Sequence, residues 1–126
     1  MRLLLDTHAL LWALATPRKL SKKVTAALKD PRTDVFFSAA STWEIAIKTA
    51  LGKLHADLDE VVTEARSLGF AELAVSVAHT LRLSALPNHH RDPFDRLIVA
   101  QAIEDDLKLV TADTNIHMYR VTIFWE

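Results

Sequence analysis

The sequence predicts an α/β fold: a three-layer α/β/α sandwich with a mostly parallel central sheet. Two observations support this prediction, since short apolar runs alternate with helix-like segments, and only two glycines and four prolines occur in 126 residues. Strands that alternate with helices form parallel sheets whose two faces are both covered. Scarce glycine and proline favour helices joined by short connections. At this length we expect a single domain over residues 1–126.

Five runs of apolar residues predict the strands. The first run, "RLLL", stops at an aspartate and is continuous enough to be buried on both faces of a sheet. The runs "DVFFS", "AELAV", "LKLVT" and "RVTIF" follow it at intervals that leave room for helices between them. The expected strands are residues 2–5, 34–38, 71–75, 107–111 and 120–124.

Six segments between these runs have the apolar spacing of helices. Ser or Asp stands at or directly before all six expected N-termini, where such side chains cap a helix, and Pro or Gly marks the ends of four helices, at Pro17, Pro31, Gly52 and Gly69. The expected helices are residues 7–15, 22–30, 41–51, 57–69, 76–85 and 95–106. Residues 86–94, "LPNHHRDPF", are rich in turn-forming residues and predict a loop.

The composition excludes several classes of protein. There is no cysteine, so disulfides, zinc–thiolate sites and iron–sulfur clusters are excluded. No run approaches the ~18 apolar residues of a membrane span. The N-terminal segment has some features of a secretory signal, but Asp6 and His8 interrupt its apolar stretch, and we expect a mature, cytoplasmic protein. The net charge of −1 neither supports nor excludes an RNA partner.

Four acidic residues stand where an apolar run changes into another element: Asp6, Glu44, Asp95 and Asp113. In an open α/β sheet, ligands bind outside the carboxyl ends of the strands. Two of the acids follow strands directly, and the other two lie in the first turns of expected helices, so all four are expected at that edge. Carboxylates close to a core are costly unless a cation neutralises them. A hard divalent cation bound through oxygen, Mg²⁺ or Mn²⁺, suits such a cluster.

Each of these acids also has a purely structural interpretation. Asp6 could cap the helix that follows it, and the segment "STWE" at 41–44 fits a capping box. Asp113 lies in a turn, where Asp commonly makes local hydrogen bonds. Asp95 could interact with a helix dipole, although Asp92 in the preceding loop is already placed for that role. The coincidence of all four at one edge favours a functional site.

The six histidines form no metal-binding pattern such as HExxH. His89, His90 and Arg91 are therefore expected to make a solvated loop, with natural contacts for a phosphate if a substrate passes nearby. The three tryptophans are expected in the core or in an interface and not as stacking surfaces for bases: Trp12, Trp43 and Trp125.

Four segments of the chain carry a resemblance to one known family: "LLLDTHALLW", "SAASTWEIAIK", "HRDPFDRLIVAQA" and "LVTAD". In order, spacing and total length the sequence resembles PIN-domain proteins, and specifically the VapC-type toxins of bacterial toxin–antitoxin pairs. The resemblance implies a Mg²⁺- or Mn²⁺-dependent endoribonuclease that cuts RNA by attack of water. It also implies a cognate antitoxin protein as partner, and a homodimer.

The resemblance assigns roles to residues of this chain. The family's acids fall on Asp6, Glu44, Asp95 and Asp113. The three aspartates are the expected metal ligands. Glu44 is expected either to bind the metal through a water molecule or to orient the nucleophile. Supporting positions are expected at Asp92 and Thr111, and RNA contacts at His89, His90, Arg91 and Arg96. The segment after the last acid, "TNIHMYRV", departs from the commoner family pattern because no aromatic follows the acid closely.

Other enzymes that place an acid after the first strand fit less well. A haloacid-dehalogenase-like phosphatase needs a second acid two residues after Asp6, where this chain has His8. A receiver domain needs an aspartate after the third strand, and "AELAVSV" has none. The remaining alternative is a binding module, a PIN-like fold with a silent site that acts through protein partners.

Overall fold

The computed structural model of the protein describes residues 1–126 and contains one four-stranded sheet between two layers of helices. All strand pairs are parallel, in the order β3-β2-β1-β4. The strands are β1 (Arg2–Leu5), β2 (Asp34–Ser38), β3 (Ala71–Leu73) and β4 (Lys108–Val110). The helices are α1 (Thr7–Ala15), α2 (Lys22–Lys29), α3 (Ala39–Ala50), α4 (Leu58–Ser67), α5 (Val77–Ser84) and α6 (Pro93–Glu104). The α/β/α prediction is confirmed.

The central strand β1 shows why the sheet needs helices on both faces. Leu3 and Leu5 point into one apolar cluster, which includes buried residues of α1, α2 and α4, while Leu4 points into the other, dominated by α6. All three leucines are completely buried. Successive side chains of a strand face opposite sides of the sheet, so a continuous apolar run is what a strand covered on both faces requires.

The expected strand at 120–124 is reduced to a single bridge, which corrects the sequence prediction. Ile123 lies parallel to Leu109 of β4, where the Leu109 N–H donates to the Thr122 carbonyl and the Phe124 N–H donates to the Leu109 carbonyl, both at 2.8 Å. A short 3₁₀ helix, Ile116–Met118, precedes this segment. The returning chain therefore pairs with β4 at one position, whereas β1 pairs with all three residues of β4.

Two helices begin earlier than the sequence predicts. The N-cap of α3 is Ser38, whose hydroxyl oxygen accepts from the Ala40 N–H at 2.9 Å, so Ser41 lies inside the helix and the capping box at 41–44 does not form. Helix α6 begins at Pro93, directly after its N-cap Asp92. Proline is well suited to the first position of a helix, because the N–H that it lacks would have no intrahelical acceptor there.

A buried hydrogen-bond network holds the start of α3 against α6. The Ser38 hydroxyl donates to the Gln101 side-chain carbonyl, and the Gln101 amide donates to the Ala74 carbonyl at 3.3 Å. Ser38 and Gln101 are both completely buried, so each needs the other as a partner. None of the helices is both long and apolar enough to cross a membrane.

Replacing Ser38 with alanine is expected to lower the free energy of unfolding by about 1–3 kcal/mol, because the change removes the α3 cap and leaves the Gln101 carbonyl buried without a donor. Thr42→Ala is the matched control, since the Thr42 hydroxyl bonds only the Ala39 carbonyl of its own turn; we expect a change within about 0.5 kcal/mol. Urea unfolding measures both values. Similar values for the two variants would contradict Ser38 as the cap.

Candidate active site

Asp6 lies at the carboxyl end of the central strand and begins α1. Its backbone N–H donates to the Val110 carbonyl of β4 at 3.1 Å, and its Oδ1 accepts from the Ala9 N–H at 2.8 Å. The residue is only 5% exposed. Asp6 is therefore a helix cap, as its structural interpretation proposed, and it is also a buried carboxylate at the edge where the functional interpretation placed it.

Glu44 projects from the middle of α3, and it is 4% exposed. One of its oxygens, Oε2, forms an ion pair with Lys48 one turn further along the helix. The other, Oε1, is buried and has no hydrogen-bond partner. A buried carboxylate oxygen without a partner is costly, so this atom is placed for a ligand that can supply positive charge or a donor.

Asp95 stands in the first turn of α6, three residues after the cap of that helix. Asp92 Oδ1 accepts from the Phe94 N–H at 2.8 Å and from the Asp95 N–H at 3.1 Å. Asp92 thus serves the helix terminus, which leaves the Asp95 side chain free of that role. The Asp95 carboxylate is partly buried, with 19% of the side chain exposed.

Thr111 and Asp113 follow β4, beside the end of β1. Thr111 is completely buried, and its hydroxyl oxygen accepts from the Asp113 N–H at 3.1 Å. Asp113 Oδ1 accepts from the Asn115 N–H at 2.9 Å, the local hydrogen bond expected of an aspartate in a turn. The second oxygen of Asp113 faces the other acids.

His90 lies inside the acidic cluster, which corrects the expectation of a purely solvated loop. Its Nε2 is 3.1 Å from Asp95 Oδ2 and 3.2 Å from Asp113 Oδ2. Its Nδ1 accepts from the Asp92 N–H at 3.2 Å, so Nε2 carries the proton and donates a hydrogen bond to Asp113 Oδ2, while Asp95 Oδ2 lies within ion-pair distance. The side chain is half-buried, with 18% of it exposed, because it contacts both α6 and the turn after β4.

The other three expected RNA contacts lie at different places. His89 is exposed and packs edge-on against Tyr119, with ring centroids 5.1 Å apart. Arg91 is exposed in the same loop. Arg96 is partly buried and donates to the Leu86 carbonyl at 3.3 Å, so in this structure its guanidinium holds the start of the loop.

The pKa shifts of Asp6 and Asp95 indicate that the acids interact electrostatically with one another. Burial raises the pKa of Asp6, and the nearby charge of Asp113 raises it further, while the Thr111 hydroxyl, the Ala9 N–H and the charge of His8 oppose the shift. Burial is also the main reason that the pKa of Asp95 rises to about 7.

The charges that act on Asp95 identify its neighbours. Asp92, Asp6 and Glu44 raise its pKa further, and His90 lowers it. The pKa of Lys48 is raised chiefly by its hydrogen bond to Glu44, and additionally by the charges of Asp92 and Asp95. The structure therefore brings together all four acids expected from the sequence, along with Asp92 and Thr111.

This donor set fits a hard divalent cation. It is rich in carboxylate oxygens, one of which, Glu44 Oε1, has no partner. Donor atoms of His90, Asp95 and Asp113 all lie within 4.8 Å of one another. The raised pKa values of Asp6 and Asp95 record the cost of bringing negative charges together at a buried edge, and a cation of charge +2 would remove that cost.

Sequence reasoning did not identify Lys48 as part of this site, and it named His90 only as an RNA contact in a solvated loop and not as a neighbour of the acids. The signal for Lys48 is the spacing of "EIAIK", in which Glu and Lys stand four residues apart on one helix face. No comparable local signal exists for His90, because its contacts with Asp95 and Asp113 depend on how the loop folds. Only the tertiary structure shows that this histidine faces the acids.

Replacing Asp95 with asparagine is expected to raise the free energy of unfolding near pH 8 and to change it little near pH 4. Between the ordinary pKa of 3.8 and the folded value of about 7, the folded protein retains a proton that the unfolded chain releases. The contribution of the Asp95 carboxyl to the free energy of unfolding of the wild type therefore falls as pH rises through this window. Because Asp95 is partly exposed, we expect a gain on the order of 1–2 kcal/mol, less than the full shift would give.

Urea unfolding in the presence of EDTA, at about pH 4 and about pH 8, measures this effect. Asp34→Asn is the matched control, since Asp34 is exposed at the amino end of β2, the opposite edge of the sheet. A loss of stability in Asp95→Asn near pH 8 would show that the carboxylate has a structural role that its amide cannot fill.

The comparisons with known proteins agree with this geometry. A family model of the PIN domain matches residues 3–122. Ribonuclease VapC22 of Mycobacterium tuberculosis (strain ATCC 25618 / H37Rv) is 33% identical over 125 residues, which cover 93% of this chain and 91% of that protein.

Solved structures show the same fold at lower sequence identity. VapBC2 from Rickettsia felis, bound to a DNA fragment from their promoter, matches with a TM-score of 0.72 at 15% identity, over 100% of both chains. VapBC-1 from nontypeable Haemophilus influenzae matches with a TM-score of 0.67 at 16% identity, over 94% of this chain and 91% of that one. FitAcB from Neisseria gonorrhoeae matches with a TM-score of 0.63 at 22% identity, over 97% and 96%. The chain belongs to the PIN-domain family, as its sequence motifs predict.

Proposed function

We propose that this protein is a Mg²⁺- or Mn²⁺-dependent endoribonuclease, the toxin of a toxin–antitoxin pair. The observation that carries the proposal is the electrostatic coupling of Asp6, Glu44, Asp95 and Asp113 at the carboxyl edge of a PIN-domain sheet. The relative that is 33% identical over almost the whole chain is named a ribonuclease, which supports RNA as the substrate.

The proposed metal ligands are the carboxylates of Asp6, Asp95 and Asp113. A divalent cation held there would lower the pKa of bound water and stabilise negative charge on the scissile phosphate. The Ala9 N–H at the start of α1 stabilises the charged form of Asp6, which favours the ionised state that cation binding requires.

The remaining groups hold the acids in place and supply positive charge or donors beside them. Lys48 engages one oxygen of Glu44 and leaves the other facing the site, where it can accept a proton or a hydrogen bond from the attacking water. His90 donates a hydrogen bond to Asp113 and lies within ion-pair distance of Asp95. Thr111 orients the turn that carries Asp113.

A protein partner and a second copy of the chain belong to the same proposal. The family resemblance implies an antitoxin that blocks the site, and we propose a cytoplasmic location because its RNA substrate is there. For the homodimer, α5 offers supporting evidence: Val77 is 74% exposed and Leu81 is 66% exposed, four residues apart on one helix face. An exposed apolar pair of this kind is typical of a surface that another chain covers.

Asp6→Asn and Asp95→Asn are each expected to reduce RNA cleavage at least about 100-fold, since each change keeps the shape of the side chain but removes a charge needed to bind the cation. The assay is cleavage of a bacterial small-RNA pool with Mg²⁺ or Mn²⁺, repeated with EDTA. Asp34→Asn is the control and should cut like the wild type. Cleavage that persists in EDTA and in both variants would contradict the proposed chemistry.

Divalent-ion binding is expected to raise the melting temperature of the wild type by about 5 °C or more at saturating Mn²⁺, because only the folded protein gathers the ligands. Asp113→Asn should lose most of this increase, and Asp34→Asn should retain it. Differential scanning fluorimetry measures the three proteins. Absence of any shift in the wild type, together with absence of cleavage, would favour the alternative of a binding module with a silent site.

A further inference from the structure

An exposed aromatic pair borders the acidic site. Trp43 of α3 is 54% exposed, although its ring packs edge-on against Phe94 of α6, with centroids 4.8 Å apart and planes at 73°. The sequence led us to expect this tryptophan in the core or in an interface. The structure places Trp43 on the surface. Glu44 faces inward, and neighbouring residues of a helix point about 100° apart around its axis, so Trp43 is turned towards solvent.

The position of the pair relative to the acids follows from the chain itself. Trp43 directly precedes Glu44, and Phe94 directly precedes Asp95, so each aromatic Cα lies about 3.8 Å from the Cα of an acid. Since the two rings also touch each other, they span the gap between the two helices that carry these acids. We expect the nucleotide next to a phosphate bound at the acids to lie within reach of this pair.

We infer that Trp43, supported by Phe94, is a stacking surface for an unpaired RNA base next to the scissile phosphate. This inference rests on the proposed ribonuclease function and adds a substrate-binding residue to it. Indole rings stack on any base, and such stacking contributes strongly to binding of single strands. The edge-on contact with Phe94 fixes the indole plane in advance, so little ordering is needed when a base arrives.

Two features favour a nucleic acid over a protein as the occupant of this surface. Trp43 is the only Trp, Tyr or Phe among the exposed large hydrophobic residues; the others are aliphatic or Met. The chain also carries cationic groups close in sequence to the two aromatics, namely partly exposed Lys48 on the helix of Trp43 and exposed Arg91 three residues before Phe94, and such groups suit a phosphate backbone.

The test compares RNA binding by Trp43 variants in the Asp95→Asn background, in which the RNA stays intact. The probe is a labelled, random-sequence single-stranded RNA of about 12 nucleotides, followed by fluorescence anisotropy. Trp43→Ala is expected to weaken binding about tenfold or more, and Trp43→Phe to retain most of it. Leu51→Ala is the matched control, since Leu51 is 63% exposed at the far end of the same helix, and it should bind like the parent.

A spectroscopic measurement gives an independent readout. In the Trp12→Phe/Trp125→Phe variant, Trp43 is the sole tryptophan, and RNA should quench its fluorescence through direct stacking. Equal RNA affinity in Trp43→Ala and the parent, with no quenching, would overturn the inference and leave the nuclease proposal intact. If RNA affinity is equal, quenching is absent and light scattering shows that Trp43→Ala has a changed molar mass, the inference is overturned and Trp43 belongs to a protein interface. A wild-type protein that neither binds nor cuts RNA would contradict the proposed function itself.

Discussion

Carboxylates crowded at a buried edge of the sheet are the constraint on which the rest of this structure depends. Burial and mutual repulsion raise the pKa of both Asp6 and Asp95, so the cluster opposes its own ionisation. The surrounding elements reduce this cost in particular ways. Helix N–H groups bond Asp6 and Asp92, the Asn115 N–H bonds Asp113, Lys48 pairs with Glu44, and a histidine proton lies between the last two aspartates. A divalent cation would neutralise the negative charge that these donors leave uncompensated.

The strand order explains why residues far apart in sequence meet at this edge. Strand β1 is central, with β2 on one side and β4 on the other, so the chain leaves the sheet at three neighbouring points. Asp6 follows β1, the acid-bearing turn follows β4, and α3 begins immediately after β2. The Thr7 hydroxyl donates to the Ser41 hydroxyl at 2.9 Å, which ties the start of α1 to α3 three residues before Glu44. The sheet and these short ties together position the acids.

The apolar periodicity of the chain was sufficient to predict the α/β/α layers, the four strands of the sheet and the edge at which the acids converge. Predictions failed where tertiary contacts decide. The Ser38 side chain that caps α3 also donates a hydrogen bond to Gln101, a contact that only the tertiary structure shows. The segment around Ile123 pairs with β4 at a single position. His90 reaches the acids through a loop whose path no local pattern specifies. Trp43 was expected in the core or in an interface, and its exposure excludes only the core, because its helix turns the neighbouring glutamate inward instead.

The structural and functional interpretations of the acids are not alternatives, because a carboxylate has two oxygens. Asp113 bonds the Asn115 N–H with Oδ1 while Oδ2 faces His90, and Asp6 caps α1 with Oδ1 while its charge acts on Asp95. In a parallel sheet the helix N-termini and the ligand-binding edge coincide. Capping and cation binding therefore draw on the same residue types at the same places. An asparagine that retains the cap and loses the charge separates the two roles, which is why charge-removing substitutions at this edge are more informative than truncations to alanine.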